Sequence, residues 1–182
     1  MIHASRILLA AAAFLIPSVL IPSVTAAQTQ RMGRCHMGEC GWTREMSRDF
    51  VGTSARGYLV RLEIVRGTST NAGGGSAQKR PIKWDKKPES TFVFCSKSLP
   101  AVMFTLDGEF STHLLDLLPK GSIPGYQEAS LALYMAVCHN VDVHEKYEDP
   151  KVYVERFKYE GERARYRAVE EAVKAAPDIL RQ

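Results

Sequence analysis

The chain has 182 residues, of which 45% are hydrophobic and 24% are charged, and its formal net charge is +4 at pH 7. This length is enough to bury the core of one domain without help from metals or partners. The mildly basic charge gives no reason to expect nucleic-acid binding, although it allows contact with anionic envelope surfaces.

Residues 1–27 have the order of features found in a secretory signal peptide. Arg6 precedes a long apolar run that ends at Val24, and small residues up to Ala27 form a cleavage site. The run approaches the roughly 18 residues typical of a transmembrane helix, so an uncleaved anchor is the alternative. Two prolines interrupt the run, which favours cleavage. We therefore expect a periplasmic or secreted protein with a single domain over residues 28–182, which meets the membrane only through its signal.

The predicted mature domain contains all four cysteines of the chain: Cys35, Cys40, Cys95 and Cys138. An even number of cysteines in an oxidising compartment usually forms disulfides. Of the three pairings that four cysteines allow, we favour Cys35–Cys40 with Cys95–Cys138, because Gly38 supplies a turn between the first two. Their C-x₄-C spacing differs from the C-x-x-C of thioredoxin-like sites. Structural disulfides are therefore expected here, in preference to a redox or metal site.

The first half of the mature chain predicts a small antiparallel sheet, over roughly residues 42–106. Alternation of apolar with charged residues, and short apolar runs bounded by turn residues, are the signals for its strands. In chain order, the predicted elements are an unstructured lead-in at 28–34, a strand over Gly57–Gly67, a glycine-rich loop over Thr68–Ala77, an edge strand over Arg80–Asp85, and a hairpin of Thr91–Cys95 with Ala101–Leu106.

After Asp107 the apolar pattern changes to a helical period, and helices are predicted from residue 111 onward. The helices are a short one over 111–118, a buried one over Tyr126–His139 capped by Asn140, and a solvated one over Glu160–Ala176 that ends at Pro177, while Lys151–Tyr159 suits either a strand or a helix. The sequence thus predicts an α+β fold, with helices packed on one face of the sheet and disulfides joining the layers.

The densest group of side chains that could bind a metal lies just after the buried helix. His144-Glu145-Lys146-Tyr147-Glu148 resembles the beginning of H-E-x-x-H, but Glu148 stands where the second histidine is required. Asp142, His144 and Glu148 are the candidate ligands of a divalent metal. A polar loop between two helices is the simpler interpretation, so we predict no metal and no cofactor.

A cationic strip follows the glycine-rich loop and contains one tryptophan. Its candidate binding residues are Lys83, Trp84, Lys86 and Lys87. An aromatic ring among cations is suited to an anionic sugar or lipid headgroup. The alternative is a solvated segment that protects an edge strand from pairing with other molecules.

The sequence contains no complete catalytic or cofactor motif. We therefore predict a non-catalytic periplasmic or secreted binding module, whose partner is an anionic envelope component or another exported protein. The alternative is an envelope-associated hydrolase, with a site assembled in the fold from His113, His139, His144 and nearby acids.

Overall fold

The computed structural model describes residues 29–70, 80–106, 108–118, 121–143, 150–160 and 163–182, so the predicted signal lies outside it. Seven strands in these ranges form one antiparallel sheet, with the order β1-β2-β3-β5-β6-β7 and with β4 paired to β3. The strands are β1 (Gln30–His36), β2 (Glu39–Ser54), β3 (Gly57–Thr70), β4 (Lys83–Trp84), β5 (Glu89–Ser96), β6 (Ala101–Leu106) and β7 (Glu109–Leu114).

The helices follow the sheet in the sequence. They are α1 (Glu128–His139), α2 (Pro150–Phe157) and α3 (Arg163–Ala172), with 3₁₀ helices at Gly125–Gln127 and Ala176–Arg181. The buried helix and its cap were predicted correctly, since α1 ends at Asn140 in the left-handed conformation (φ 54°). None of the helices in the described ranges is long and apolar enough to cross a membrane.

The sheet is larger than predicted, because it begins at β1 and continues through β7. Residues 28–34 were expected to be unstructured, yet β1 pairs with β2 and places Cys35 opposite Cys40. The polar residues at the start of β1 lack the apolar pattern from which a strand is predicted. Its stability comes from the hairpin and the neighbouring β2 rather than from an apolar face of its own. An antiparallel sheet with a few helices and two disulfides is thus the part of the predicted fold that holds.

The short helix predicted over 111–118 is wrong, because residues 109–114 form strand β7. Gly108, with φ 85°, makes the turn from β6 into β7, which pairs antiparallel with β6. The leucines that suggested one helical face are divided between the two sides of the sheet. Leu115 lies in one core, whereas Leu114 and Leu118 lie in the other.

Helices cover both faces of the sheet, so the prediction that they pack on one face is also wrong. The α1 core is the buried cluster between the sheet and helices α1 and α2, and the α3 core is the cluster that α3 and the C-terminal 3₁₀ helix form on the opposite face. Within β5, Val93 faces the α1 core and Phe94 faces the α3 core. A strand that is apolar at successive positions is buried on both faces.

Two disulfides join the elements, and they are the pairs favoured from the sequence. Cys35–Cys40 closes the β1–β2 hairpin, and Cys95–Cys138 joins β5 to the end of α1. Among the described cysteines none is free. Two disulfides in a chain of this size are typical of proteins that fold in an oxidising compartment.

Candidate functional site

A cleft of about 410 Å³ lies between the sheet and the N-terminal half of α1. Its lining is mainly apolar and includes residues from β1, β2, β3, β5, β6, β7 and α1. Small residues leave room for it: Gly33 of β1, Gly41 of β2 and Ala129 of α1 all line the cleft, and a Cβ added to Gly33 would lie 3.5 Å from Cβ of Ala129. This volume falls in the range of small-molecule sites, which is roughly 300–1,000 Å³.

The deep end of the cleft belongs to the α1 core. Ile64, Val102 and Leu133 line it, and each is at most 7% exposed. Phe104 packs against the same core and also lines the cleft. An apolar group entering the cleft would therefore be removed from water on several sides, which is the main source of affinity in such sites.

The deep end carries one polar side chain from β5, Thr91. The Thr91 side chain is 2% exposed, and its Oγ1 has no hydrogen-bond partner within the described ranges. Thr91 has the same parity in β5 as Val93 and Cys95, which places it on the face of the α1 core. A buried hydroxyl without a partner costs about 1–3 kcal/mol. The cleft thus holds a hydrogen-bonding group that nothing in the described protein uses.

A pair of polar side chains also lines the cleft, formed by His113 of β7 and Ser130 of α1. Nδ1 of His113 and Oγ of Ser130 are 2.9 Å apart. Burial lowers the pKa of His113, so its imidazole is neutral at physiological pH. The ring also makes edge-to-face contacts with Phe104, at 4.8 Å between centroids, and with Tyr126, at 5.6 Å. We call Phe104, His113 and Tyr126 the aromatic wall.

The outer end of the cleft carries charged side chains. Arg66 lines it and is ion-paired with Glu89 across neighbouring strands, with Nε and Oε2 2.9 Å apart. Asp85 is exposed and adds a carboxylate at the same end. Tyr126, which is 66% exposed, stands at the rim. These ionic groups thus lie at the solvent side, and none of the described residues at the deep end is ionic.

The two described histidines of the proposed hydrolytic site, His113 and His139, are not brought together. His139 closes α1 and its Nε2 lies 2.7 Å from the hydroxyl of Tyr159, while its ring stacks on Phe157. Ser130, the partner of His113, is nine positions earlier in α1, which is about 13 Å along the helix. His144 lies outside the described residues.

The metal candidates remain a prediction from the sequence. Asp142 is exposed just beyond α1, while His144 and Glu148 lie outside the described ranges. In the part of the chain that the structure describes, no group of three or more metal-binding side chains occurs.

The cationic strip lies at β4 and in the turn that follows it. Lys83, Lys86 and Lys87 are exposed. Trp84 instead packs with Trp42 in a small buried cluster, and the guanidinium of Arg44 lies 4.0 Å from the centre of its ring. The strip therefore offers positive charge at the surface, but its ring is already engaged by the protein.

Sequence reasoning found His113 but missed the other residues of the cleft. Thr91 could have been noticed because it is a polar residue at alternate positions with two apolar residues of a buried strand, and alternate residues of a strand lie on the same face. Ser130 carried a similar signal, as a polar residue in a helix that is apolar nearly all round. Arg66 and Tyr126 gave no such signal, because only the fold brings them to the same opening.

Comparison with known proteins found no similar protein that could indicate a function. The chain matches no protein-family model, no curated protein and no solved structure.

Proposed function

We propose that this chain is an exported, non-catalytic binding protein, and that the cleft between the sheet and α1 holds a small, mainly apolar ligand. The observation that carries the proposal is the unpartnered hydroxyl of Thr91 at the deep end of an apolar cleft. A concave apolar site with a few convergent polar groups is the usual form of a ligand site. A ligand that reaches Thr91 would satisfy the hydroxyl and displace water from the apolar lining.

A variant that fills the cleft tests the proposal. Ala129 lines the cleft but is exposed on α1, so Ala129→Trp should fill the opening without disturbing a core. Toluene is the probe, followed by the amide resonances of the cleft residues. We expect saturable shifts in the native protein and none in Ala129→Trp.

The matched control is Ala172→Trp, which adds the same ring to an exposed position of α3 on the opposite face of the sheet. It should bind toluene as the native protein does. Toluene binding that survives in Ala129→Trp would overturn the proposal, and so would an absence of saturable shifts in the native protein with all of toluene, phenol, cyclohexanol and benzoate.

Export to the periplasm or the cell exterior forms part of the same proposal. It is supported by the signal-like residues 1–27 and by the two disulfides. The intact mass of the protein from its native cell is the test. We expect a chain that begins at Gln28 and lacks the four hydrogens of four reduced thiols. A full-length chain with four thiols would contradict export.

The contact between His113 and Ser130 favours a second candidate function, which is ester hydrolysis. A neutral imidazole 2.9 Å from a serine hydroxyl can act as its general base. Turnover of p-nitrophenyl acetate that is lost in Ser130→Ala would support this candidate. We prefer a binding role, because Ser130 is only 7% exposed and no described acid is seen to orient the imidazole.

An anionic envelope component as a partner remains a further proposal. The exposed Lys83, Lys86 and Lys87 support it through their charge. The replacement of Lys86 and Lys87 by glutamate should then abolish co-sedimentation with anionic vesicles, and unchanged sedimentation would exclude this partner.

A further inference from the structure

We infer that the cleft selects a neutral aromatic molecule with one hydrogen-bonding substituent, a class for which phenol is the simplest representative. This inference rests on the proposed binding function and adds the chemical class of the ligand. Three features of the cleft carry it: the aromatic wall, the absence of charged side chains among the described residues at the deep end, and the buried, unpartnered hydroxyl of Thr91.

The aromatic wall favours a flat ligand. His113 makes edge-to-face contacts with both Phe104 and Tyr126, so the three rings form a continuous series along one side of the cleft. Aromatic rings attract one another in edge-to-face and offset-stacked arrangements, beyond the gain from apolar burial. A planar ring can make such contacts with the wall, whereas a saturated ring of similar size offers only apolar contact.

The charges at the cleft exclude an anionic ligand. The charge of Arg66 is already balanced by Glu89, and Asp85 adds a negative charge at the outer end. No ionic side chain lines the deep end within the described ranges. A carboxylate placed there would lose its hydration without meeting a partner, which is costly in an apolar site. The ligand's polar group must therefore be neutral.

The number of polar groups limits the ligand's polar substituents. Among the described residues that line the cleft, Oγ1 of Thr91 is the one side-chain polar atom that is buried without a partner, whereas Nδ1 of His113 and Oγ of Ser130 already contact each other. A sugar or other polyol would bury several hydroxyls with too few partners. One hydroxyl or one amine on a ring matches the single free hydroxyl, which can both donate and accept a hydrogen bond.

The test compares four probes with the purified protein at neutral pH, followed by the amide resonances of the cleft residues. Phenol is the expected ligand, toluene lacks its hydroxyl, cyclohexanol lacks its aromatic ring, and benzoate is anionic. We expect phenol to bind about three- to ten-fold more tightly than toluene, which is the effect of one neutral hydrogen bond. Cyclohexanol should bind more weakly than phenol, and benzoate should show no saturable shifts.

Two threonine variants identify the hydrogen bond. Thr91→Val removes the hydroxyl but keeps the shape of the side chain, so phenol affinity should fall to that of toluene or below it, because the phenol hydroxyl is then buried without a partner, while toluene affinity stays unchanged. Thr112→Val is the matched control, because Oγ1 of Thr112 is also buried without a partner but Thr112 does not line the cleft. It should leave both affinities unchanged.

The possible failures are distinguishable. If none of the four probes binds the cleft, the proposed binding function itself is wrong. If toluene and phenol bind but Thr91→Val weakens both equally or neither, the role of Thr91 is wrong while the binding function stands. Cyclohexanol binding as tightly as phenol would overturn the aromatic preference. Benzoate binding more tightly than phenol would overturn the exclusion of anions.

Discussion

Cys138, the penultimate residue of α1, is bonded to Cys95 in the central strand β5, with their Cα atoms 5.4 Å apart. This bond fixes the helix that forms one side of the cleft to the sheet that forms the other. The second disulfide, Cys35–Cys40, closes a hairpin at the edge of the same sheet. The two bonds constrain very different lengths of chain, and their effects on stability should differ accordingly.

Loss of the Cys95–Cys138 bond should destabilise the protein more than loss of Cys35–Cys40. The first closes a loop with a sequence separation of 43, and the second closes one of 5. The loop-closure entropy of the unfolded chain predicts about 4 kcal/mol for the first bond and about 2 kcal/mol for the second. Urea denaturation of the two double serine variants measures the difference. A larger loss for the hairpin variant would contradict this ranking.

Replacement of Gly67 by alanine should displace β4. An added Cβ would lie 2.7 Å from a ring carbon of Trp84 and 2.8 Å from a methyl carbon of Ile82. Overpacking of this kind typically costs about 1–3 kcal/mol. The fluorescence of Trp84 and Trp42, the two tryptophans in the chain, should report the change together with urea denaturation.

Gly33→Ala is the matched control for that substitution. At Gly33 the nearest heavy atoms are 3.4 Å and 3.5 Å from the added carbon, so little has to move. We expect near-native stability and fluorescence from this variant. Equal losses from the two alanine substitutions would show that the contact with Trp84 is not the cause.

Thr91→Val should stabilise the protein when no ligand is bound. The substitution removes a buried hydroxyl that has no partner and keeps the side-chain shape, so we expect a gain of about 1 kcal/mol. Urea denaturation is the measurement. A loss of stability would mean that the Thr91 hydroxyl already has a partner in solution, and the cleft would then lack its polar anchor.

Stability should fall as the pH decreases from neutral to mildly acidic values. Burial lowers the pKa of His113, and burial followed by the charge of Lys97 lowers the pKa of His139, in both cases from an ordinary value of 6.5. The unfolded chain therefore takes up protons at these residues before the folded chain does. Their contribution is fully present above about pH 6.5 and is lost progressively toward the lower pKa values of the folded state.

Carboxylates act in a more acidic range. Burial by itself raises the pKa of Glu45, but the hydrogen bonds and charges of Arg48 and Arg31 together outweigh it and lower that pKa. Backbone amides of Ala175 and Lys174 lower the pKa of Asp178. Their contributions begin to be lost only as the pH approaches the ordinary values of 4.5 and 3.8, and they are lost further as the pH falls through the lower pKa values of the folded state. Between neutral pH and pH 5.5, the free energy of unfolding measured by urea denaturation should thus change less with pH in a His113→Asn, His139→Asn double variant than in the native protein. An identical slope in the native protein and this variant would refute the assignment.

Local patterns in the sequence predicted those elements that a local signal determines. The apolar run from Thr91 to Cys95 can be recognised from a few neighbouring residues, and so can the apolar helix that ends at Asn140. Strands β1 and β7 cannot be recognised in this way, because their polar residues become strands only through pairing with β2 and β6. The division of Leu114 and Leu115 between two cores likewise depends on a sheet that is covered on both faces.

The candidate site was harder to predict, because its parts are distant in the sequence. Its polar residues come from three strands and a helix, and no regular spacing in the sequence relates them. They are Arg66, Thr91, His113 and Ser130. The cleft also depends on glycines at positions that face α1, where the useful feature is the absence of a side chain. Such a site follows from the packing of the sheet against α1 and from no motif.

Intermolecular nuclear Overhauser effects between phenol and the protein test the binding site most directly. The account predicts contacts from the phenol ring protons to methyl groups of Val102 and Leu133 and to ring protons of Phe104, all of which line the cleft. Contacts confined to residues outside the cleft, or no contacts at millimolar phenol, would contradict it.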